Sequence, residues 1–446
     1  MHFKRLLHSS PGLVVLCSLF LVILCGAGLL SLPAAQVQPI PFIDALFTAT
    51  SATCVTGLFS VPLDQFTHFG HFVIMILVQI GGLGLITLTL MFLSLFVNFG
   101  LTTQLMAGHL LDLESWQNIK ALLLFIACIT LLSEFVGVLC ITPFLMDHEP
   151  LTISIFYATF HAIASFCNAG IELPHTYYAL LYKTNYFILG ITMLLSLIGG
   201  LGFITWYEIA SWVTSWWQGR RFRFSLHSKI IFYGTLVLIT VSALTIWLLE
   251  RHNAFASMKL IHSMVYALFQ AITSKSTGFS IIPLSEFHLS TIFLIMIIAF
   301  IGSSPASTGS GIKITTFTIL VATIKAALSG KTMVDIRGRR IAKDQIFKSI
   351  AICFLGLLFI GSLTFVLLVL ENPPLFFPMF FEAWSALSNL GTSLNATQSL
   401  SMMGKIMVMI GMMIGRVGSF TLILGIKMIR WKDSQEFIYP EERVML

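Results

Sequence analysis

Four short polar strings, each closing on a glycine, are the residues of this chain best suited to chemistry. They read Thr53-Cys54-Val55-Thr56-Gly57, Phe166-Cys167-Asn168-Ala169-Gly170, Ser274-Lys275-Ser276-Thr277-Gly278 and Leu387-Ser388-Asn389-Leu390-Gly391. No side-chain code runs through all four except the last glycine, so their shared chemistry belongs to the backbone. Glycine adopts φ > 0 without steric cost and can turn carbonyls inward. Rings of carbonyl oxygens replace the hydration shell of a cation, and short helices aiming their C-terminal ends at one point add partial negative charge. The strings predict cation coordination, with no bond made or broken.

A second glycine phrase lies 24 or 29 residues downstream of each string: Ile80-Gly81-Gly82-Leu83-Gly84, Ile198-Gly199-Gly200-Leu201-Gly202, Ile301-Gly302 and Ile414-Gly415-Arg416-Val417-Gly418. Two copies are irregular. After Gly302 comes Ser303-Ser304-Pro305-Ala306-Ser307-Thr308-Gly309-Ser310-Gly311-Ile312-Lys313. Pro305 lacks an amide donor, and so many glycines and serines cannot continue a helix in lipid. Such a segment must be buried in protein or line a water-filled cavity; the alternative is a cytoplasmic loop with a new helix near Ile312. In the fourth copy Arg416 replaces a glycine. An arginine in an apolar helix costs at least about 2.5–3.5 kcal/mol on insertion scales, so it should face the interior with a partner. Either it faces the ion path, with carbonyls and hydroxyls of 302–313 as partners, or it pairs with Glu134, Glu208 or Glu382. Lys275 would repel cations if it stood in their path, so it should point behind its string, towards Glu382 or nearby carbonyls. Asp44 and Glu382 are expected at the starts of short helices, complementing the helix dipole.

The elements that carry these residues follow from composition and period. The chain has 446 residues, of which 57% are hydrophobic and 10% charged. Soluble domains carry about 25% charged residues, so this is an all-α polytopic membrane protein. Four units of one pattern, 1–100, 101–218, 219–330 and 331–446, each parse as helix, re-entrant helix, polar loop, helix. The first helices are expected at 12–32, 120–141, 229–250 and 346–370. The second are expected at 69–97, 186–217, 291–328 (interrupted) and 402–430. The segments 41–52, 154–166, 262–273 and 377–387 are too short to cross, which leaves eight crossings around a central pore. Ten residues before each string's glycine stands a large apolar residue: Phe47, Phe160, Leu268 or Phe381. Residues 12–32 read as the first helix rather than a cleaved leader, their apolar run being too long.

The net charge is +6, but its distribution argues against nucleic acid. Lys and Arg gather in 218–229, 325–348 and 427–443, with Lys4 and Arg5, which puts both termini and these loops in the cytoplasm. The basic loops suit either a docking partner or anionic lipid headgroups. Seven cysteines without a CxxC pair predict neither disulfides nor zinc. No His-x-x-x-His, Asp-x-x-Asp or Gly-x-Ser-x-Gly pattern supports a membrane enzyme, and no phosphate-binding loop is present. A secondary transporter of two inverted halves fits less well than four parallel units.

The strings, the 302–313 segment and Gly415-Arg416 together resemble the Trk/Ktr/HKT superfamily of potassium transporters, over nearly the whole chain. Within it, eight crossings and the ending Tyr439-Pro440-Glu441-Glu442-Arg443-Val444 look like the KtrB pore subunits. The resemblance implies K⁺ uptake across a prokaryotic inner membrane, without cofactor, with K⁺ and optionally Na⁺ as the transported or coupling ion. It implies a selectivity filter of Thr53, Cys54, Val55, Thr56, Gly57, Cys167, Asn168, Ala169, Gly170, Ser276, Thr277, Gly278, Asn389, Leu390 and Gly391. It makes 302–313 an intramembrane gate, anchored by Lys313 and facing Arg416. It also implies a homodimer seated on a cytoplasmic ring of RCK-type nucleotide-binding subunits. Two departures stand out. Lys275 replaces a customary arginine, keeping charge but losing the guanidinium fork, and Ser388-Asn389-Leu390-Gly391 replaces Gly-Thr-Val-Gly.

Overall fold

The computed structural model describes residues 11–84, 119–147, 149–173 and 185–418. Four similar stretches of helix follow one another. The first holds α1 (Pro11–Leu30), α2 (Phe42–Cys54) and α3 (His68–Leu83). The second holds α4 (Ile119–Met146), α5 (Leu151–Phe166), α6 (Tyr186–Gly200) and α7 (Phe203–Trp217). The third holds α8 (Leu226–Glu250), α9 (Leu260–Thr273), α10 (Leu289–Ile301) and α11 (Ile314–Leu328). A two-stranded hairpin, β1 (Asp335–Ile336) and β2 (Arg339–Arg340), leads into α12 (Lys343–Leu370), α13 (Phe376–Ser388) and α14 (Met402–Val417).

Among the described residues, three helices are long and apolar enough to cross a membrane: Leu122–Met146 of α4, α8 and α12. The bent pair α6 and α7 would be a fourth if it is one span. The short helices α2, α5, α9 and α13 have 13, 16, 14 and 13 residues. At 1.5 Å per residue they reach about 20–24 Å, less than the roughly 30 Å hydrocarbon core.

Each short helix packs against the first helix of its own stretch and against the second helix of the preceding one. Thus α3 meets α5, α6 meets α9, α10 meets α13, and α14 returns to α2. The arrangement closes on itself. Phe47, Phe269 and Phe381 are fully buried on three of the short helices and Phe160 nearly so on the fourth. In the third stretch the expected residue was Leu268, but Leu268 is 38% exposed and Phe269 takes its place. The physical reason is a one-residue shift of the helix-closing hydrogen bond relative to the glycine. In the other three the residue before the glycine donates to the carbonyl five back (Thr56 to Ser51, Ala169 to Ala164, Leu390 to Ser385), whereas here Gly278 itself donates to Thr273. The carbonyl that accepts the closing bond therefore lies five residues before the glycine here and six in the other three.

Two further expectations are corrected. The segment 186–217 was expected to be continuous, but it bends by 97° between α6 and α7. Gly202 at the break has φ 89°, ψ 138°, and Phe203 N–H donates to the Ala306 carbonyl at 2.8 Å instead of continuing the helix ladder. The same backbone recurs at Gly84 (φ 80°, ψ 126°), Lys313 (φ 77°, ψ 136°) and Gly418 (φ 86°, ψ 128°). The glycine phrase thus leads into the same backbone conformation in every stretch, and in the third stretch 302–312 is inserted before it. The expected continuations 85–97 and 419–430, the basic segment 427–443, the chain ending at 439–444, and Lys4 and Arg5 lie outside the described residues. Glu382, expected to begin a short helix, lies midway along α13 because that helix starts at Phe376. Asp44 does lie in the first turn of α2.

Candidate ion-coordination site

The four string glycines meet. A Cβ built on Gly57 would fall within 3.0 Å of the Ala169 carbonyl oxygen; on Gly170, of Thr277; on Gly278, of Leu390; on Gly391, of Thr56. Each of these oxygens belongs to the residue just before a neighbouring glycine, so the strings pass one carbonyl to the next in a closed circuit. All four glycines have φ between 59° and 95°. Glycine is thus required twice over, once for the left-handed backbone and once because the neighbour's carbonyl occupies the place of a side chain. The second reason is invisible in the sequence, since it arises between segments more than a hundred residues apart.

The downstream glycines have a matching role. Cβ atoms on Gly81, Gly199 and Gly415 would strike the carbonyl oxygens of Thr53, Phe166 and Leu387, the last turns of α2, α5 and α13. The third copy departs: Gly302 faces the Ser310 carbonyl of its own insertion. Cys167 lies against Gly82, and both Cys167 and Cys54 are fully buried.

A side-chain code does exist, alternating around the circuit. Asn168 accepts from Thr277 Oγ1 through Oδ1 at 2.5 Å, and Asn389 donates from Nδ2 to Thr56 Oγ1 at 2.7 Å. Threonine directly before glycine in strings one and three thus meets asparagine two before glycine in strings two and four. Comparing alternate strings, rather than all four, would have found it. Both asparagines are left-handed, at φ 60° and 49°, as is Val55 at φ 57°. Asparagine tolerates this conformation, whereas a β-branched valine does not. String three, whose closing bond falls on Gly278 itself at φ 77°, needs no such residue.

The insertion 302–312 is folded back beneath these strings. Its ends meet, Ser303 N–H donating to Ser310 O and Ile312 N–H to Phe300 O, both at 3.0 Å. Ser304 N–H donates to the Gly200 carbonyl, Thr308 N–H to Gly199, and Ala306 O accepts from Phe203. Ser307 Oγ donates to Ser304 O at 2.6 Å, and the Pro305 carbonyl abuts Gly202. Gly309 packs on Ser303, and Gly311 on Gly302. Thr308 reaches the second string: Oγ1 accepts from Asn168 Nδ2 at 2.7 Å and donates to Phe166 O at 3.0 Å. Ser310 N–H donates to Ser276 Oγ of the third string at 2.9 Å. Asn168 therefore touches the second string, the third string and the insertion at once.

Two cations complete the tether. Arg416 donates to the Thr308 carbonyl at 2.5 Å, to Ser310 Oγ at 3.4 Å and to the Gly81 carbonyl. Its partners are carbonyls and a hydroxyl; Glu134 is engaged by Gln79 and Glu208 by Ser225 N–H. Lys313 Nζ donates to Gly309 O at 2.6 Å. Lys275 is buried and does not pair with Glu382, whose oxygens accept from Ser393 at 2.8 Å and Thr397 at 2.5 Å. The outer rim carries a pair that sequence reasoning missed: Lys405 Nζ lies 2.5 Å from Asp44 Oδ1, which also accepts from Ser60. It ties α14 to α2 across 361 residues, a separation no local signal spans.

Comparison with known proteins agrees along the whole length. The chain is 32% identical to the Ktr system potassium uptake protein B of Bacillus subtilis over 439 residues, covering 96% of each. It is 29% identical to the potassium/sodium uptake protein NtpJ of Enterococcus hirae, covering 99% of this chain and 98% of that one. The fold is that of the potassium transporter TrkH from Vibrio parahaemolyticus, with a TM-score of 0.69 over 91% of this chain and 84% of that one, at 20% identity. A family model for cation transport proteins, TrkH, matches residues 26–435, and the chain belongs to that family.

Proposed function

We propose that this chain is the pore-forming subunit of a Ktr-like potassium uptake system. The carrying observation is the closed circuit of four glycines, each seated against a neighbour's carbonyl. That arrangement supports a single file of K⁺ coordinated by backbone oxygens, on the axis of four units that together make eight crossings. Passage is closed from the cytoplasmic side by 302–312, which Arg416, Lys313 and Asn168 hold beneath the strings. A fixed guanidinium there opposes long residence of a cation and favours release. The chain sits in the prokaryotic inner membrane with both termini cytoplasmic, as a homodimer on an RCK-type nucleotide-binding ring. The chemistry is transport, and no catalytic step is assigned.

The test is isotope flux into proteoliposomes with K⁺, Rb⁺ and Na⁺ in competition. Gly57→Ser and Gly170→Ser should lower the preference for K⁺ over Na⁺, because a side chain displaces the neighbouring carbonyl. Unchanged selectivity in folded variants would remove the filter assignment. A Na⁺-coupled symport is favoured by the potassium/sodium uptake named for the Enterococcus hirae relative; a fixed ratio of Na⁺ to K⁺ taken up would establish it.

A further inference from the structure

The N-terminal end of α8, where Glu208 accepts from Ser225 N–H at 3.1 Å, is lined by exposed arginines set among aromatic rings. Phe224 packs on Phe232 of α8 at 6.0 Å and on Trp212 of α7 at 6.0 Å. This fixes the exposed Arg220, Arg221 and Arg223 beside that helix end. One residue further along α8, the Arg337 guanidinium of the hairpin lies 3.8 Å above the ring of Tyr233, with Arg339 and Arg340 exposed behind it. Among the described residues none of these six arginines has a carboxylate within ion-pair distance; the ion pairs are Lys348–Asp344 and Lys405–Asp44.

The direction this surface faces is set by its neighbours. Tyr233, Leu236, Val237, Val241, Leu244 and Leu248 are all more than half exposed and recur at helical spacing along one face of a candidate membrane span. Such a face suits lipid, and Arg337 lies over its first ring at Tyr233. Beside it, α7 turns off at 97° from α6 and ends in Trp216 and Trp217, 72% and 81% exposed. Tryptophan with an apolar body and a polar N–H favours the headgroup level, and arginine matches a phosphate oxygen pair with its planar fork. A soluble partner would find these arginines at the edge of the bilayer face.

We propose that this arginine–aromatic surface binds the phosphodiester headgroup of an anionic phospholipid. Arg337 on Tyr233 forms one arm and Arg220, Arg221 and Arg223 the other. The occupant is a lipid because the surface is continuous with the acyl-facing stripe of α8.

The test titrates the full chain in nanodiscs of phosphatidylcholine with increasing phosphatidylglycerol and counts retained lipid by native mass spectrometry. Wild type should retain phosphatidylglycerol selectively. Arg337→Gln should weaken retention about fivefold, and the triple change Arg220→Gln, Arg221→Gln, Arg223→Gln on the order of a hundredfold. Arg337→Lys keeps the charge and should lose only part of the effect, which separates recognition from misfolding. Equal retention of the two lipids by wild type, or unchanged retention in both glutamine variants, would overturn the proposal. Displacement of the lipid by millimolar inorganic phosphate, or by a purified nucleotide-binding subunit, would reassign the surface to a soluble anion or a protein and equally overturn it. The readout is lipid, so failure here leaves the reading of the ion path standing.

Discussion

Replacing Thr308 with valine isolates the link between the insertion and the strings. Valine keeps the shape and the β-branch, so Thr308 N–H to Gly199 and Arg416 to Thr308 O are preserved. Two side-chain bonds disappear: Asn168 Nδ2 to Oγ1 at 2.7 Å and Oγ1 to Phe166 O at 3.0 Å. A neutral bond contributes about 0.5–1.5 kcal/mol net, and a donor left unpaired in a buried site costs more. Asn168 Nδ2 retains a long 3.4 Å contact with Phe166 O, which limits that cost. The seated position should lose about 2 kcal/mol, a shift of roughly 30-fold in the balance of seated and displaced insertion. Proteoliposome ⁸⁶Rb⁺ uptake without any partner should rise by about that factor while the seated form still dominates. The K⁺ to Na⁺ preference should hold, because Thr277 still bonds Asn168 Oδ1. Unchanged uptake in a folded variant would refute the tether; a fall in selectivity at unchanged rate would show that Thr308 serves the filter instead.

Other substitutions test separate parts of the scheme. Deleting Ser303–Gly311 should raise uptake and free it from partner control, since the insertion's ends already meet at Gly302; a folded deletion without flux would remove the gate. Lys405→Met should destabilise by about 3–5 kcal/mol by leaving Asp44 buried and unpaired. Adding Asp44→Asn should recover much of that loss in the same melting experiment, and a double variant no more stable than the single would contradict the pairing.

The short helices, the glycine that ends each string and the interruption at 302–311 were legible because each is local. Apolar run length reports a helix, and Gly302 through Gly311 reports its interruption. The bend at Gly202 was missed for the same reason turned round. A glycine alone does not report a bend, and only the approach of Pro305 and Ala306 gives the freed Phe203 N–H a partner. The one-residue offset in the third string was hidden too, since Leu268 and Phe269 are equally apolar and only packing chooses which is buried.

By itself the sequence determined that four glycine-ended strings lie at the ends of short helices in a membrane chain, because glycine, apolar runs and proline act on their immediate backbone. The tertiary structure alone decided which string touches which, that each glycine leaves room for its neighbour's carbonyl, and that Asn168 and Arg416 bond to the insertion rather than to acids. Those contacts join residues 106 to 335 positions apart. At that distance the chain carries no local signal, and only the packing of distant helices on one another brings the partners within hydrogen-bond reach.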